Sequence, residues 1–570
     1  MSQNTPPKKT PLQETLTALK QHIVYVGCFS AAVNLLMLVP IIYMMQIYDR
    51  VVSSGSLSTL GMLTIIMIFL LVASGGFEWV RSMIMINASG RLDRMFRDRV
   101  YNATFKQALL TGGVPGTLPN NDLSALRQFL TGSGLFAFFD APWYPIYVGF
   151  MFIFHPWFGV IGIIAGVVMV SLAYVTEKVT NEKLQDANAE ANWVTSQIGG
   201  SIRNAEVIAA MGMNDSLRQR QQQRSDKVLG LQNNASRSAG LLGNLSKSLR
   251  LIMQSSTLGV GAYLAIHQEI SPGMMIGGSL LLGRALAPID TLVGNWKGFS
   301  VARSQYSRLK ELLASTPEDA EKMELPDPQG QLSLEQVAVV PPGARAPVVR
   351  GVTLALAAGE SLGIIGPSAS GKSSLARSIL GIWPAAGGKV RLDGSDIAQW
   401  DRVKLGPFVG YLPQDIELFD GSISENICRF GEMNPEKIVA AAKLAGVHDL
   451  VQRLPQGYDT IIGGHGGILS GGQRQRIGLA RAVYGDPKLI VLDEPNSNLD
   501  DQGEKELVAA LARIKATGCT VVVITHRTML LMAVDKVLVM KEGQMANFGP
   551  RDKILAGLIA PQDARKSAQG

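Results

Sequence analysis

The chain has 570 residues, of which 47% are hydrophobic and only 17% are charged, and its formal net charge is +7. This length argues against a single domain and predicts three or four, and so low a charged fraction argues against a soluble protein of this size. The apolar residues are concentrated before residue 300 and are flanked by basic segments, so the positive charge requires no nucleic-acid partner.

The first residues, 1–21, are polar and proline-rich, and we predict that they form a disordered cytoplasmic tail. The apolar run that follows, Ile23–Ile47, contains no charged residue and is too long for a signal peptide, so we expect it to be retained as a membrane span.

Further apolar runs bring the predicted number of spans to six within residues 22–314. Leu57–Phe77 has no charge, and Leu135–Val175, whose only formal charge is Asp140, is long enough for two crossings of about 30 Å. Leu249–Ile266 and Met274–Trp296 are weaker candidates, because both are rich in glycine and serine.

Basic residues predict the orientation of these spans. The short connections at residues 49–56, 155 and 267–271 contain one arginine and no lysine, whereas the long connections are crowded with both. The positive-inside rule therefore places both termini and the long connections in the cytoplasm. Those connections, Glu78–Leu110 and Val175–Arg250, have helical composition and predict stalks that extend beyond the membrane.

Between the stalks, residues 111–122 and 204–214 are predicted to be tips that contact another domain. Residues 315–330 are acidic and proline-rich and are predicted to be a linker. Short Val/Ile/Leu strands then alternate with helices over residues 331–560, which predicts an α/β domain, and residues 561–570 resemble a polar tail.

The three cysteines, Cys28, Cys428 and Cys519, occur in unrelated contexts and lack the spacing of metal ligands. We expect them to be reduced and structural.

The sequence "GPSASGKSS" at 366–374 follows a buried-strand pattern and precedes a helix, which is the context that a phosphate-binding loop requires. Backbone N–H groups are expected to surround the β-phosphate of a nucleotide, Lys372 to reach the β- and γ-phosphates, and Ser373 to coordinate Mg²⁺. The predicted nucleotide contacts in this loop are Gly366, Ser368, Ser370, Gly371, Lys372, Ser373 and Ser374.

Two carboxylates end the apolar strand "LIVLDEP" at 489–495. Asp493 is expected to contact Mg²⁺, and Glu494 to polarise the water that attacks the γ-phosphate. His526 ends another apolar strand and is predicted to contact the γ-phosphate as a second catalytic residue. Gln414 is uninformative alone, but is predicted to contact both nucleotide and metal.

A second predicted anion site is "LSGGQRQR" at 469–476, where a Ser-Gly-Gly turn opens a helix beginning near Gln473 and offers free N–H groups and the positive end of the helix dipole. The order of phosphate loop, Gln414, "LSGGQ", "LIVLDEP", "SNLD" and His526 resembles the nucleotide-binding domain of ATP-binding-cassette transporters. The resemblance implies that Ser470, Gly471, Gly472, Gln473 and Asp500 contribute to nucleotide binding, that ATP and Mg²⁺ are bound, and that two copies pair head to tail. One cassette per chain then implies a homodimer.

Two positions depart from the cassette pattern. Ala369 stands where many cassettes have glycine, so a negative backbone φ is expected there. No aromatic residue lies between Leu332 and Arg350 to stack on adenine, so Val339, Val340 or Pro341 is expected to contact the base instead.

The membrane half resembles the permease–ATPases of type I protein secretion in three segments: "MMQIYDRVVSSGSLSTL", "FDAPWYPIYV" and "GRALAPID". The match is best to the subgroup that exports proteases and other proteins with glycine-rich calcium-binding repeats. The predicted fold is a multi-domain membrane protein, an all-α six-span domain with cytoplasmic extensions followed by an α/β nucleotide-binding domain. The resemblance implies export of unfolded polypeptides with an uncleaved C-terminal signal across a bacterial inner membrane, with a periplasmic adaptor and a TolC-like outer-membrane channel.

Arg284 lies in the predicted sixth span, where a charge costs about 3 kcal/mol, so it is expected to face protein or water. It either lines the translocation path or makes a structural contact to another span or to lipid phosphate. Asp290 lies about 240° further around a helix, which makes an intrahelical pair with Arg284 improbable. Asp140 is expected to cap or anchor the third span. A lipid or drug exporter and a non-transport cassette ATPase are the alternatives, and the fused spans argue against the latter.

Overall fold

The computed structural model describes residues 11–112, 119–317, 322, 324–463 and 469–559, which fall into two compact units. The first comprises the membrane half, up to residue 318, and the second comprises residues 109–113 with everything after residue 318. The boundary between the two units, at residue 318, lies inside the linker predicted at residues 315–330.

The described part of the first unit is helical throughout. Its helices are α1 (Pro11–Leu36), α2 (Val39–Gln46), α3 (Val52–Ser54), α4 (Leu57–Thr111), α5 (Pro119–Thr131), α6 (Ser133–Asp140), α7 (Tyr144–Phe154), α8 (Pro156–Arg203), α9 (Ala205–Ala210), α10 (Asn214–Ile266), α11 (Pro272–Gly294) and α12 (Trp296–Ser315), with a π-helical turn at Ile47–Val51 and a 3₁₀ turn at Ala141–Trp143.

Five helical stretches among the described residues are long and apolar enough to cross a membrane: Lys20–Ser54, Leu57–Thr111, Gly134–Phe154, Pro156–Ile202 and Pro272–Gly294. The remaining predicted span, Leu249–Ile266, is helical as the end of α10 but is not among them. Its glycine, serine and glutamine residues lower its hydropathy, and several of its side chains pack against protein.

The predicted stalks are confirmed as helices. α4 has 55 residues, and α8 and α10 have 48 and 53. The short α9 and a turn at Met211–Met213 separate α8 from α10, where the second tip was predicted. Most of the first tip, residues 113–118, lies outside the described residues. The predicted disordered tail is too long, because α1 begins at Pro11, a residue favoured in the first turn of a helix.

A buried polar cluster joins the first three spans. Arg81 of α4 pairs with Asp140 at the end of α6, with Nη1 3.0 Å from Oδ1, and also donates to Ser30 of α1. Asn34 of α1 donates to the same carboxylate at 2.8 Å and accepts from the Tyr147 hydroxyl. The predicted anchoring role of Asp140 therefore has a defined set of partners.

Asp290 is neutralised from another helix. Its carboxylate lies 3.3 Å from Arg250 of α10 and accepts a hydrogen bond from Ser246. The expectation that Asp290 does not pair within its helix with Arg284 is thus confirmed. Arg284 is half-buried in α11.

The first turn of α11 is held by Asp49 from the π-helical turn. One carboxylate oxygen accepts from the Gly273 N–H at 2.7 Å, and the other accepts from the Ser271 hydroxyl at 2.6 Å. A Cβ at Gly273 would lie 2.4 Å from that carboxylate, so glycine allows this close approach. A carboxylate at a helix N-terminus is favoured by the dipole.

The second unit alternates strands and helices, as predicted. Its strands are β1 (Leu332–Val339), β2 (Val349–Leu356), β3 (Ser361–Ile365), β4 (Gly387–Leu392), β5 (Ser395–Asp396), β6 (Val409–Leu412), β7 (Gly421–Ser422), β8 (Ile461–Ile462), β9 (Leu489–Asp493), β10 (Thr520–Ile524), β11 (Lys536–Lys541) and β12 (Gln544–Pro550). Its helices are α13 (Lys372–Ile379), α14 (Arg402–Leu405), α15 (Ile423–Ile427), α16 (Pro435–Leu444), α17 (His448–Gln452), α18 (Gly471–Val483), α19 (Asp501–Ala516), α20 (Thr528–Leu531) and α21 (Arg551–Ile559).

The central sheet has the order β12-β11-β3-β10-β9-β6, and every pair except β11–β12 is parallel. All residues of β9 and β10 are buried, as expected for parallel strands covered on both faces. A separate antiparallel sheet has the order β2-β1-β4-β5. Because β3, β10 and β9 are neighbours, their carboxyl ends lie together, and this edge is where a ligand site is expected in an α/β sheet.

Candidate nucleotide site

The carboxyl ends of three adjacent strands bring the predicted catalytic residues together. The phosphate loop follows β3, Asp493 and Glu494 end β9, and His526 follows β10 after Thr525. The phosphate loop, the Asp493–Glu494 pair and His526 therefore lie at this one edge of the sheet.

The loop between β3 and α13 has the backbone that close contact with phosphates requires. Gly366 and Gly371 have φ of +155° and +92°, and a Cβ at Gly366 would lie 2.2 Å from the Met540 carbonyl oxygen. Lys372 Nζ donates to the carbonyls of Gly366 and Pro367 at 2.8 and 3.0 Å. Burial lowers the pKa of Lys372. The Ser370 hydroxyl is buried without a partner among the described residues, which fits a group that donates to a phosphate oxygen.

The expectation of a negative φ at Ala369 is wrong. Its φ is +63°, in the left-handed region. The curvature of the phosphate loop imposes this conformation. Adopting it costs an alanine roughly 1–2 kcal/mol of conformational free energy.

Asp493 and Ser373 fit a Mg²⁺ site. The Ser373 hydroxyl donates to Asp493 Oδ1 at 3.2 Å, while Asp493 Oδ2 is buried and has no partner in the described part of the chain. Asp493 is only 1% exposed, and this burial raises its pKa. An orphaned carboxylate oxygen beside a serine hydroxyl is the kind of oxygen donor set that Mg²⁺ takes.

Glu494 has an unusual backbone and two polar neighbours. Its φ is +49°, and Gln414 Nε2 donates to its Oε2 at 3.0 Å. His526 Nε2 lies 3.7 Å from its Oε1 and is exposed. A glutamate held by an amide and faced by an imidazole, one residue beyond the proposed metal ligand, is placed to orient a water molecule.

The "LSGGQ" segment opens α18, but the helix begins at Gly471, two residues earlier than predicted. Ser470 is its N-cap and forms a capping box with Gln473: the Ser470 hydroxyl accepts from the Gln473 N–H, and Gln473 Oε1 accepts from the Ser470 N–H. Asp500, predicted to contribute to nucleotide binding, caps α19 by accepting from the Gly503 N–H at 2.9 Å.

One of the three residues expected to hold adenine is excluded. Val339 is 0% exposed and belongs to the core between the two sheets. Val340 and Pro341 are half-buried and stay candidates. The difference follows from where β1 ends: Val339 is its last residue and points into the core, whereas Val340 and Pro341 follow the strand.

Comparison with known proteins shows the family of this chain. Residues 349–497 match the model of the ABC transporter family, and residues 23–286 match the ABC transporter transmembrane region. The type I secretion system ATP-binding protein PrsD of Rhizobium meliloti (strain 1021) is 46% identical over 543 residues, which cover 95% of this chain and 93% of that protein. This chain belongs to the type I secretion ABC transporters. It is therefore a multi-pass membrane protein with an ATP-hydrolysing domain.

More distant relatives include toxin exporters. The leukotoxin translocation ATP-binding protein LktB of Mannheimia haemolytica is 28% identical over 90% of this chain and 73% of its own length. The cyclolysin secretion/processing ATP-binding protein CyaB of Bordetella pertussis is 28% identical over 97% of this chain and 79% of its own length. The solved structure of a bacterial Atm1-family ABC exporter with ATP bound shares the fold of this exporter, with a TM-score of 0.80 at 20% identity, over 97% of this chain and 99% of that one.

Proposed function

We propose that this chain is one half of a homodimeric exporter that uses ATP to move unfolded polypeptides out of the bacterial cytoplasm. The observation that carries the proposal is the grouping of phosphate loop, Asp493, Glu494 and His526 at one sheet edge, in a chain 46% identical to a type I secretion ATP-binding protein. The cargo we propose is a protein with glycine-rich repeats and a C-terminal signal.

Dimerisation explains why one chain has two anion sites. The phosphate loop is complete in its own strand–loop–helix setting, whereas Ser470–Gln473 opens a different helix. We infer that Ser470, Gly471 and Gly472 close over the ATP held by a second copy, since a helix N-terminus is a ready anion site. Asp500, which caps the nearby α19, borders the same interface. Each dimer then has two ATP sites.

In each proposed site, the residues of the chain have distinct tasks. The loop residues from Gly366 to Ser374 surround the phosphates, and Lys372 neutralises their charge. Ser373, Asp493 and Gln414 would hold Mg²⁺, which would neutralise charge on the phosphate oxygens. Glu494 accepts a proton from the attacking water, and His526 donates a hydrogen bond to the γ-phosphate.

The membrane half supplies the export path in this proposal. Both termini lie in the cytoplasm, and a periplasmic adaptor and a TolC-like outer-membrane channel continue the path beyond the inner membrane. The tip between α8 and α10 exposes the apolar side chains of Val207 and Met211. Arg284 faces the path, and basic residues at the membrane surface contact lipid headgroups.

The proposal is tested with detergent-purified protein, by measuring its ATPase rate against added polypeptide. The probe is the C-terminal segment of a glycine-rich repeat protein from the same source, with a scrambled peptide as control and lipid as the competing ligand. A saturable change in rate with the signal segment alone is expected. Stimulation by lipid or small amphiphiles and no response to peptide would instead favour a lipid or drug exporter.

The proposed role of Glu494 has its own test. Glu494→Gln should bind ATP as the wild type does but lose at least about 90% of turnover, since an amide cannot accept the proton. The protein should accumulate as a closed dimer with trapped ATP, which the amount of nucleotide retained after purification would reveal. An unchanged turnover rate would refute the role.

A further inference from the structure

Gln475 lies one turn beyond the proposed trans-acting residues on α18, and none of the roles assigned above uses it. It is 2% exposed, although glutamine is normally a surface residue. A buried amide needs hydrogen-bond partners, and those of Gln475 are the backbone of the turn that carries Glu494.

We call residues Glu494–Leu499 the catalytic turn. Gln475 Nε2 donates to the Glu494 carbonyl at 3.5 Å, and Gln475 Oε1 accepts from the Asn498 N–H at 3.1 Å. One side chain therefore contacts the turn at both ends. Within the turn, the Ser497 N–H also donates to the Glu494 carbonyl, at 3.2 Å.

The backbone conformation of the catalytic turn requires such support. Glu494 has a φ of +49°, which non-glycine residues adopt only when their surroundings impose it. Its N–H is fixed by the carbonyl of Ile524 at 3.0 Å, and its carbonyl is the group that Gln475 reaches. The carboxylate of Glu494 is thus aimed by constraints on both sides of its own α-carbon.

The same helix touches the turn a second time. A Cβ at Gly472 would lie 3.0 Å from the Asn498 carbonyl oxygen, so the opening of α18 lies directly on the catalytic turn. α18 therefore presents Ser470–Gly472 at its first turn and holds the chain's own Glu494 through its second.

We propose that Gln475 is a positioning residue for hydrolysis: its amide fixes the peptide carbonyl of Glu494 on α18. The inference rests on the proposed catalytic role of Glu494. The Glu494 of one ATP site is then held by the helix whose N-terminus closes over the other site. Closure at one site therefore affects the position of Glu494 at the second.

The test uses full-length protein and two substitutions of similar volume. Gln475→Met removes both hydrogen bonds, and Gln475→Glu keeps an acceptor for the Asn498 N–H but replaces the donor to Glu494 with a carboxylate oxygen. The matched control is Gln502→Met in α19, an exposed glutamine whose side chain donates a hydrogen bond to Glu506. ATPase rates against ATP concentration, equilibrium binding of a fluorescent ATP analogue and the unfolding temperature are measured for each.

Both Gln475 variants should lower kcat at least about tenfold while KM and analogue affinity stay within about twofold of the control. Q475M should also unfold within a few degrees of the control, whereas Q475E should unfold at a lower temperature because it buries a charge. A merely structural glutamine would instead lower stability and nucleotide affinity together with kcat, and that result overturns the inference. Normal turnover in Q475E alone also overturns it, because the contact to Glu494 would then be dispensable.

Failure of this inference can be told apart from failure of the proposed catalytic role. If Q475M and Q475E turn over ATP normally while E494Q is inactive, only the role of Gln475 is wrong. If E494Q is active, the role of Glu494 itself is wrong. Should Q475M be too unstable to purify, the comparison of Q475E with the Gln502 control still decides the question.

Discussion

Asp493, which we propose as a Mg²⁺ ligand, is a buried carboxylate that lowers the stability of the protein when it is charged. The carboxylate is buried, one of its oxygens has no partner among the described residues, and burial raises its pKa. A raised pKa in the folded state means that stability falls as pH rises from the ordinary carboxyl value, near 4, through the pKa of Asp493 in the folded protein.

Asp493→Asn should therefore stabilise the nucleotide-free protein at neutral pH, by about 1 kcal/mol, because it removes a desolvated charge and keeps an acceptor for Ser373. The gain should shrink toward zero as pH falls below the ordinary carboxyl pKa. Thermal unfolding at several pH values measures this, and Mg²⁺-dependent ATPase activity should be lost. A variant less stable than the wild type at neutral pH would contradict the account.

Ala369 provides a second test at this scale. Because its φ is +63°, Ala369→Gly should change the affinity for ATP less than about threefold, as relief of strain offsets the added freedom of the unfolded loop. Ala369→Val should weaken ATP binding at least about tenfold, since a β-branched residue is rarely tolerated there. Equilibrium binding of a fluorescent ATP analogue measures both, and equal losses in the two variants would show that the methyl group matters for another reason.

The individual residues differ in how far the sequence predicts them. Lys372, Ser373, Asp493 and Glu494 follow from motifs whose chemistry depends on local spacing, and the structure brings them to one sheet edge. The φ of Ala369 and the burial of Val339 do not follow, because a loop's curvature and a strand's facing are set by tertiary contacts. The sequence does not indicate a role for Gln475, because a sequence does not distinguish a buried glutamine from an exposed one.

At the scale of elements, α11 depends on a residue far away in the chain. Asp49 and Gly273 are separated by 224 positions, and only the fold brings the carboxylate to the helix N-terminus. The motif containing Asp49 contributed to the family resemblance, yet its physical role could not be derived from periodicity or composition. The end of α10 is a related case. Its hydropathy is low, so the sequence indicates it only as a weaker candidate for a span.

Asp49→Ala should destabilise the membrane domain by about 1–2 kcal/mol, because it removes the acceptor for the Gly273 N–H and for the Ser271 hydroxyl. Asp49→Asn should lose less, since one side-chain oxygen is kept. Thermal unfolding of the detergent-solubilised protein measures the effect, with Asp215→Ala in the exposed first turn of α10 as control. Equal stability of D49A and wild type would show that this cap is replaceable.

At the scale of the whole molecule, the proposed homodimer makes a quantitative prediction. Dimers with one wild-type and one E494Q chain, isolated through two different affinity tags, should hydrolyse ATP at well under half the wild-type rate. The reason is that both sites must open before the dimer can reset. The control is a doubly tagged wild-type dimer purified in the same way, and a rate of one half would mean that the two sites work independently.

The pairing of Arg81 with Asp140 also affects how the protein is made. Arg81 lies just beyond the apolar run that forms the second span, and it forms with Asp140 a largely buried ion pair that has its own hydrogen-bond partners. During synthesis Arg81 leaves the ribosome 59 residues before Asp140. The ion pair can therefore form only after the beginning of the third span has been synthesised, and loss of either charge would leave the other buried without its partner.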